Sequence, residues 1–392
     1  MSAASEFETK TWDIFCRVID NYGDIGVCWR LARQLANEYH QQVRLWVDEL
    51  DALRRIWPEA RNQESQQLAG VEVRHWPQAF PVKTNIAQVV IEAFACDIPD
   101  SYLQAMAVQK NAGQTPVWIN LEYLSAENWV EDCHKMTSIH PSTGLRKTFF
   151  FPGFTVKTGG LLREQALVDQ QRNADSQAFL QEIGIQKQDG SLLVSLFAYE
   201  NAAIASLITA WQESPVPIHC LVPQGKILAS LNQSLASPLE IGKPHVQGNL
   251  RLELIPFVNQ TQYDQVLWAC DINFVRGEDS FIRAQWAGKP FVWHIYPQDE
   301  AAHMVKLAAF LDLFLFNASK DLAADIRECW EKWNGKWSDG KWIQSGDISQ
   351  AWASLITRLP EWQQASHDWR AELLAQDNLA RQLLSLAAKS TT

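Results

Sequence analysis

No stretch of this chain of 392 residues is apolar for the length that a membrane span needs. Its start, MSAASEFETKTWD, lacks the basic region, apolar core and cleavage site of a secretory signal. The expectation is a cytoplasmic protein with no membrane contact. Paired cysteines are also missing. Cys16, Cys28, Cys96, Cys133, Cys220, Cys270 and Cys329 are odd in number and scattered, and no two form C-x-x-C. That argues against a disulfide framework and a structural zinc site, so the thiols read as buried small hydrophobes. No basic cluster offers a nucleic-acid footprint, and the net charge of -11 opposes one.

Several catalytic signatures are absent as well. Neither half carries a proper G-x-G-x-x-G. The first offers only Gly23 and Gly26, which disfavours a dinucleotide dehydrogenase. There is no Walker loop, no G-x-S-x-G elbow and no H-E-x-x-H. The nine histidines show no close metal spacing, and His294 and His303 read as packed or solvent-facing. No metal site is expected.

What is abundant is tryptophan, with eighteen copies, many of them late in the chain as in CWEKWNGKWSDGKW. Aromatic surfaces bind sugars or proteins, but tryptophan is on average highly buried, so core packing is the leading reading. A hydrophobic content of 47% and a charged content of 20% fit a soluble globular protein, and the length suits two domains.

Short apolar runs alternate with helical patterns. WDIFCRVI (12–19) reads as a strand, IGVCWRLARQLANEY (25–39) as a helix, and QVRLWVD, VEVRHW, AQVVIEAF and TPVWINLEYL as further strands. Residues 147–163, with Pro152, Gly153, Gly159 and Gly160, read as irregular chain leaving a first sheet. The alternation restarts at SLLVSLFAY (191–199). It continues through VPIHCLVP, RLELIPF, DINFVRG and KPFVWHIYP. This is α/β: two doubly wound halves, each a parallel sheet covered on both faces. The predicted domains are 1–170 and 171–360, with 361–387 as one long amphipathic helix and 361–392 packing back on the first domain.

In such sheets ligands sit outside the carboxyl ends of the strands. Four stretches fall there: DNYGDIG (20–26), FAYEN (197–201), PFVNQ (256–260) and RGEDS (276–280). Two sheets facing each other would aim all four into one interdomain cleft. RGEDS opens a helix, and a helix N-terminus is an anion site. Ser280 adds a hydroxyl donor and Arg276 a fixed charge, enough to hold the diphosphate of a nucleotide-sugar and stabilise it as leaving group without metal. The competing reading is an ordinary Asp/Ser cap. Phe197, Tyr199 and Phe257 can stack on a base or meet a ribose, with core packing as the rival, and Gln260 can read a pyrimidine edge. An inverting glycosyl transfer needs a base on the acceptor, and Asp20 is placed for it, with Glu278 facing it from the second half. Asp20 competes with a turn role and Asp24 with a helix N-cap.

Together, WDIFCRVIDNYGDIGVCWRLARQL, INLEYLSAE, FFFPGFTVKTGGLLRE, FAYEN and CDINFVRGEDSFIRAQWAGKPFVWHIYPQ resemble the bacterial elongation factor P protein-arginine rhamnosyltransferases, the EarP family, over nearly the whole chain. The resemblance implies a GT-B fold, that is, two Rossmann-like domains facing across an interdomain cleft. It also implies an inverting, metal-independent transfer with no cofactor. L-rhamnose would pass from dTDP-β-L-rhamnose to an arginine of elongation factor P, supporting translation of proline-rich stretches. Acceptor binding falls to the first domain and the nucleotide to the second. Carried over by residue, the family's general base matches Asp20, its second essential aspartate Asp24, and its active-site glutamate Glu278. Asp279 and Ser280 match diphosphate contacts through backbone amides. Phe197, Tyr199, Phe257, Gln260 and Arg276 match the donor pocket. Asn21, Tyr22 and Gly23 shape the turn between the aspartates, and Asn21 and Gly23 count with the donor-binding set. Glu122, in NLEYL, is left without a role. Two rival readings stay open: a GT-B sugar-nucleotide enzyme with a small-molecule acceptor, and a non-catalytic module that binds a translation factor.

Overall fold

The computed structural model describes residues 6–19, 22–78, 80, 84–298, 302–338, 341–343 and 346–389. The chain divides into two compact units, Met1–Leu167 with Ala375–Thr392, and Val168–Leu374.

The first unit contains β1 (Thr11–Cys16), α1 (Gly23–Tyr39), β2 (Gln42–Val47), α2 (Leu50–Ile56), β3 (Ser65–Leu68), β4 (Val71–His75), β5 (Val89–Ala93), α3 (Asp100–Asn111), β6 (Val117–Leu121), α4 (Trp129–Cys133), β7 (Thr137–Ile139) and β8 (Arg146–Phe150). Its sheet runs β3-β4-β2-β1-β5-β6-β8-β7. The strands from β4 to β8 pair in parallel, and β3 and β7 close the edges antiparallel. Counting only parallel strands, the order is that of a dinucleotide-type doubly wound sheet, with its switch point between β1 and β5. Alternation along β1 covers both faces. Trp12, Ile14 and Cys16 join the core that contains α1, while Phe15 joins Trp46, Tyr102 and Met106 on the other side. Apolar residues on both faces explain why the strand reads as a nearly continuous apolar run.

Two sequence expectations are corrected here. Residues 147–163 are not all irregular, because Arg146–Phe150 forms β8, parallel to β6. Phe150 is fully buried in that strand, and Pro152 and Gly153 follow only after it ends. The tail is not one helix either. It forms α14 (Leu359–Leu374), within the second unit, and α15 (Leu379–Lys389), within the first. Only the part from Ala375 onward belongs with the first unit, not 361–392. Asn378 causes the break. Its side-chain oxygen accepts the Arg381 N–H at 3.0 Å, as an N-cap does, and Leu379 N–H donates to the Leu161 carbonyl at 3.0 Å. Gly160 permits the approach: it has φ +69, and a Cβ there would meet the Asp377 carbonyl oxygen at 2.4 Å. Leu379, Leu383, Leu384 and Ala387 enter the same core as α1.

The second unit contains α5 (Leu167–Asn173), α6 (Ser176–Glu182), β9 (Leu192–Leu196), α7 (Ile204–Gln212), β10 (Ile218–Val222), α8 (Ile227–Ser234), β11 (His245–Gln247), β12 (Leu250–Leu254), α9 (Gln260–Ala269), β13 (Ile272–Arg276), α10 (Asp279–Ala287), β14 (Phe291–His294), α11 (Ala302–Phe314), α12 (Lys320–Asn334), the hairpin β15 (Lys336–Ser338) and β16 (Lys341–Ile343), α13 (Ser349–Thr357) and α14. Its sheet runs β11-β12-β10-β9-β13-β14, parallel apart from the β11 edge, with the switch point between β9 and β13. Tryptophans fill its interior: Trp211, Trp330, Trp333, Trp352 and Trp362 are all fully buried. Trp333 packs edge-on against Phe274 of β13, with ring centroids 5.0 Å apart. Among the described residues, no helix is long and apolar enough to cross a membrane.

Candidate active site

Each switch point gathers its own set of side chains. In the first unit the chain leaves β1 beside β5. Val18 N–H donates to Asp48 Oδ1 at 2.9 Å, and Ile19 N–H donates to Asp24 Oδ2 at 2.8 Å. Two carboxylates therefore fix the segment that leads into residue 20. Asp20 and Asn21 themselves lie outside the described residues. Asp24 is buried, at 3% exposure, and is the second residue of α1. It is not the N-cap. Tyr22 holds that position, without a side-chain capping bond, and Gly23 opens the helix. The carboxylate of Asp24 reaches back to the strand exit, where the helix dipole also favours it. The Cys16 thiol beneath is pushed well above its ordinary pKa, first by its hydrogen bond with Cys28, then by burial and by the charges of Asp24 and Asp48.

The neighbouring strand ends carry residues that the sequence pattern did not mark. Phe94 and Ala95, just after β5, both adopt left-handed backbone, with φ 56 and φ 51. This is uncommon for non-glycine residues, and it clusters at ligand sites. Phe94 stacks on Tyr123, with centroids 4.5 Å apart. Asn120 donates through Nδ2 to Glu122 Oε1. No regularity of period 2 or 3.6 could have announced two consecutive left-handed residues.

In the second unit β9 and β13 end side by side, and the predicted donor residues meet there. The Arg276 guanidinium carbon lies 4.7 Å from the ring centroid of Phe197 and 4.7 Å from that of Tyr199. Cation–π contact of this kind holds two rings on one cation. Tyr199 also packs against Tyr296 at 5.6 Å and His294 at 5.2 Å, and Lys226 Nζ lies 5.9 Å from its ring. Sequence reasoning missed Lys226 and Tyr296, since nothing in their local pattern marks them. Phe257, beyond β12, is 47% exposed, so it is not core.

The turn after β13 is tightly determined. Gly277 has φ 61, a conformation that glycine supplies without steric cost. Glu278 occupies the N-cap position of α10 with helical backbone and no side-chain capping bond, and Asp279 is the first helical residue. The competing reading, an ordinary Asp/Ser cap, is therefore not met. Ser280 is not an open hydroxyl donor: its Oγ accepts the Arg276 N–H at 3.0 Å and donates to the Arg276 carbonyl. Gln260 Nε2 donates to Asp279 Oδ2 at 3.0 Å, tying the start of α9 to the start of α10. What this end of the sheet offers an anion is the first-turn amides of α10, their dipole, and the nearby cations Arg276 and Lys226. His294 adds no charge, since its pKa is pushed down to about 3 by burial first, then by Arg276 and His303. Among the described residues, no group of three or more His, Cys, Asp or Glu side chains is placed to hold a metal ion.

Residues 12–388 match the family model described as elongation-factor P (EF-P) rhamnosyltransferase EarP. The chain is 49% identical over 382 residues to a protein-arginine rhamnosyltransferase of Pseudomonas putida, covering 95% of this chain and 97% of that one. A solved structure presented as the structural basis for EarP-mediated arginine glycosylation of translation elongation factor EF-P aligns with a TM-score of 0.67 and 35% identity. That alignment covers 97% of this chain and all of the other. A glycosyltransferase of Arabidopsis thaliana, solved with UDP-L-rhamnose, shares the fold alone, with a TM-score of 0.52 and 10% identity over 97% of this chain and 99% of that one. The architecture is the GT-B fold.

Proposed function

The chain belongs to the elongation-factor P (EF-P) rhamnosyltransferase family EarP, a family of glycosyltransferases, and from that premise we propose that it moves L-rhamnose from dTDP-β-L-rhamnose to one arginine side chain of elongation factor P. Arginine is a poor nucleophile: it stays protonated, and its nitrogen lone pairs are delocalised. A carboxylate base answers both difficulties. It grips the guanidinium through charge-assisted hydrogen bonds and takes its proton as attack proceeds. Asp20 has that role, Glu278 orients the guanidinium, and Asp24 holds the strand exit that carries Asp20. The arginine nitrogen forms a bond to the anomeric carbon as that carbon's bond to the diphosphate oxygen breaks. The proton passes to Asp20, dTDP departs, and the anomeric configuration inverts.

The donor's diphosphate sits at the start of α10, where backbone amides, the helix dipole and Arg276 offset its growing charge without a metal. Phe197, Tyr199 and Phe257 shape the nucleotide pocket with Gln260, Asp279 and Ser280. Its setting is the cytoplasm, where the acceptor works in translation. The observation that carries this reading is the gathering of Phe197, Tyr199 and Arg276 at the switch point of the second sheet, next to the amide-bearing turn.

The test is intact mass. Incubated with dTDP-rhamnose and purified elongation factor P, the enzyme should add one deoxyhexose to the factor, at an arginine located by fragmentation. An unmodified factor, together with consumption of dTDP-rhamnose on a small acceptor, would overturn the protein-acceptor assignment. Binding without any turnover would leave only the non-catalytic module.

A further inference from the structure

An anion site at a helix start has a requirement of its own. The amides must face the anion, and the carbonyl just before them must turn away, because its negative end would repel the same charge. Gly277 supplies that carbonyl, and its left-handed backbone leaves the peptide plane more freedom than any other residue would. Something has to hold it.

Trp293, on β14, does so. Its indole Nε1–H donates to the Gly277 carbonyl at 2.8 Å. The indole ring lies flat on Phe281 of α10, with centroids 3.8 Å apart and planes 7° from parallel. Trp293 is 8% exposed, Phe281 fully buried and Gly277 half-buried, so the bond is partly shielded from competing water. The strand behind it is fixed in turn. Asn334, the last residue of α12, donates to the Trp293 carbonyl at 2.8 Å and accepts the Ile295 N–H at 3.0 Å. One side chain thus grips both the turn before α10 and the first turn of α10 itself.

We infer that Trp293 is a positioning residue for the diphosphate end of the donor site: its indole N–H fixes the Gly277 carbonyl outward and so aims the amides of Glu278, Asp279 and Ser280 at the anion. The inference rests on the proposed placement of the donor diphosphate at the start of α10. It also separates this tryptophan from the purely apolar ones of the same unit.

Trp293→Phe isolates the effect, because phenylalanine keeps a ring on Phe281 and removes the donor. Calorimetric titration of the full-length enzyme with dTDP and with thymidine gives the readout. Thymidine lacks the diphosphate, so its affinity should stay at the wild-type level. Affinity for dTDP should fall roughly five- to tenfold, the size expected from one hydrogen bond partly shielded from water. Phe281→Leu is the control for packing: it should lower the melting temperature and leave the ratio of dTDP to thymidine affinity unchanged. Two results overturn the inference. One is Trp293→Phe binding dTDP as the wild type does, and the other is dTDP and thymidine weakening in equal proportion. A wild-type enzyme that does not prefer dTDP over thymidine overturns the inference together with the diphosphate placement beneath it.

Discussion

The two sheets have the same winding and different chemistry at their switch points. Where β1 ends, the backbone is held by carboxylates, with Asp48 and Asp24 each accepting an N–H from the departing chain. Where β13 ends, it is held by a serine hydroxyl, an indole and a glycine turn, beside an arginine clasped by two aromatic rings. An acidic strand end suits a cationic guanidinium, and an amide-rich, cation-flanked one suits a diphosphate. On the proposed function, one topology would serve two ligands of opposite charge, and the difference lies in a few residues just beyond the strands.

The sharpest way to break this contrast is to neutralise the acidic end. Asp20→Asn should lower transfer to elongation factor P by about 10²- to 10⁴-fold, the usual contribution of a positioned base, and leave dTDP binding intact. Rate by intact mass and affinity by calorimetry on the same sample check it. A fully active variant would end the assignment of roles to the two ends.

A second test asks whether every charge near the second switch point serves the ligand. Arg283 and Asp264, on α10 and α9, form a bidentate pair at 2.9 and 2.7 Å, with side chains only 2% and 6% exposed. The pair ties together the two helices whose starts carry Gln260 and Asp279. Arg283→Met should cost about 3–5 kcal/mol, because it leaves Asp264 buried without its partner. Urea unfolding gives the value. A loss of activity without that loss of stability would move Arg283 into the ligand site.

The smallest effect is expected from protons. His294 has its pKa pushed down from the usual 6.5 to about 3, so the folded protein keeps it neutral. Below about 6.5 the unfolded chain takes up a proton that the folded chain refuses. Stability from this group is therefore complete above that pH and declines as pH falls towards 3. At pH 5 the decline should reach about 2 kcal/mol, and His294→Gln should flatten that part of the melting-temperature profile. An unchanged profile in the variant would assign the acid sensitivity elsewhere.

The sequence made much of the scaffold legible, because strands buried on both faces announce themselves as apolar runs and helices as period 3.6. It failed where a local signal misled. Pro152 and the glycines after it obscured Phe149 and Phe150 of β8, and an unbroken amphipathic pattern concealed the stop that Asn378 imposes. Placing RGEDS and FAYEN at strand ends required only the alternation of elements. The bonds that shape those ends did not show. Asp24 looked like a cap because it precedes a helix, but its carboxylate turns back to Ile19. Ser280 looked like an available donor, and its hydroxyl is engaged by Arg276. Such details depend on which way a turn faces, and spacing along the chain carries no record of that.

The return of α15 has a consequence for synthesis. The first unit is discontinuous, closed by Leu379, Leu383 and Leu384, which pack in one core with α1 from the other end of the chain. A ribosome delivers the amino end first, so the residues of β1 and α1 emerge long before the helix that covers them. The second unit is continuous, and all of it has been made by the time α15 appears. Nascent chains must therefore wait with an apolar surface exposed on the half that emerged first. The turns that finish the first domain are made only after the whole of the second unit.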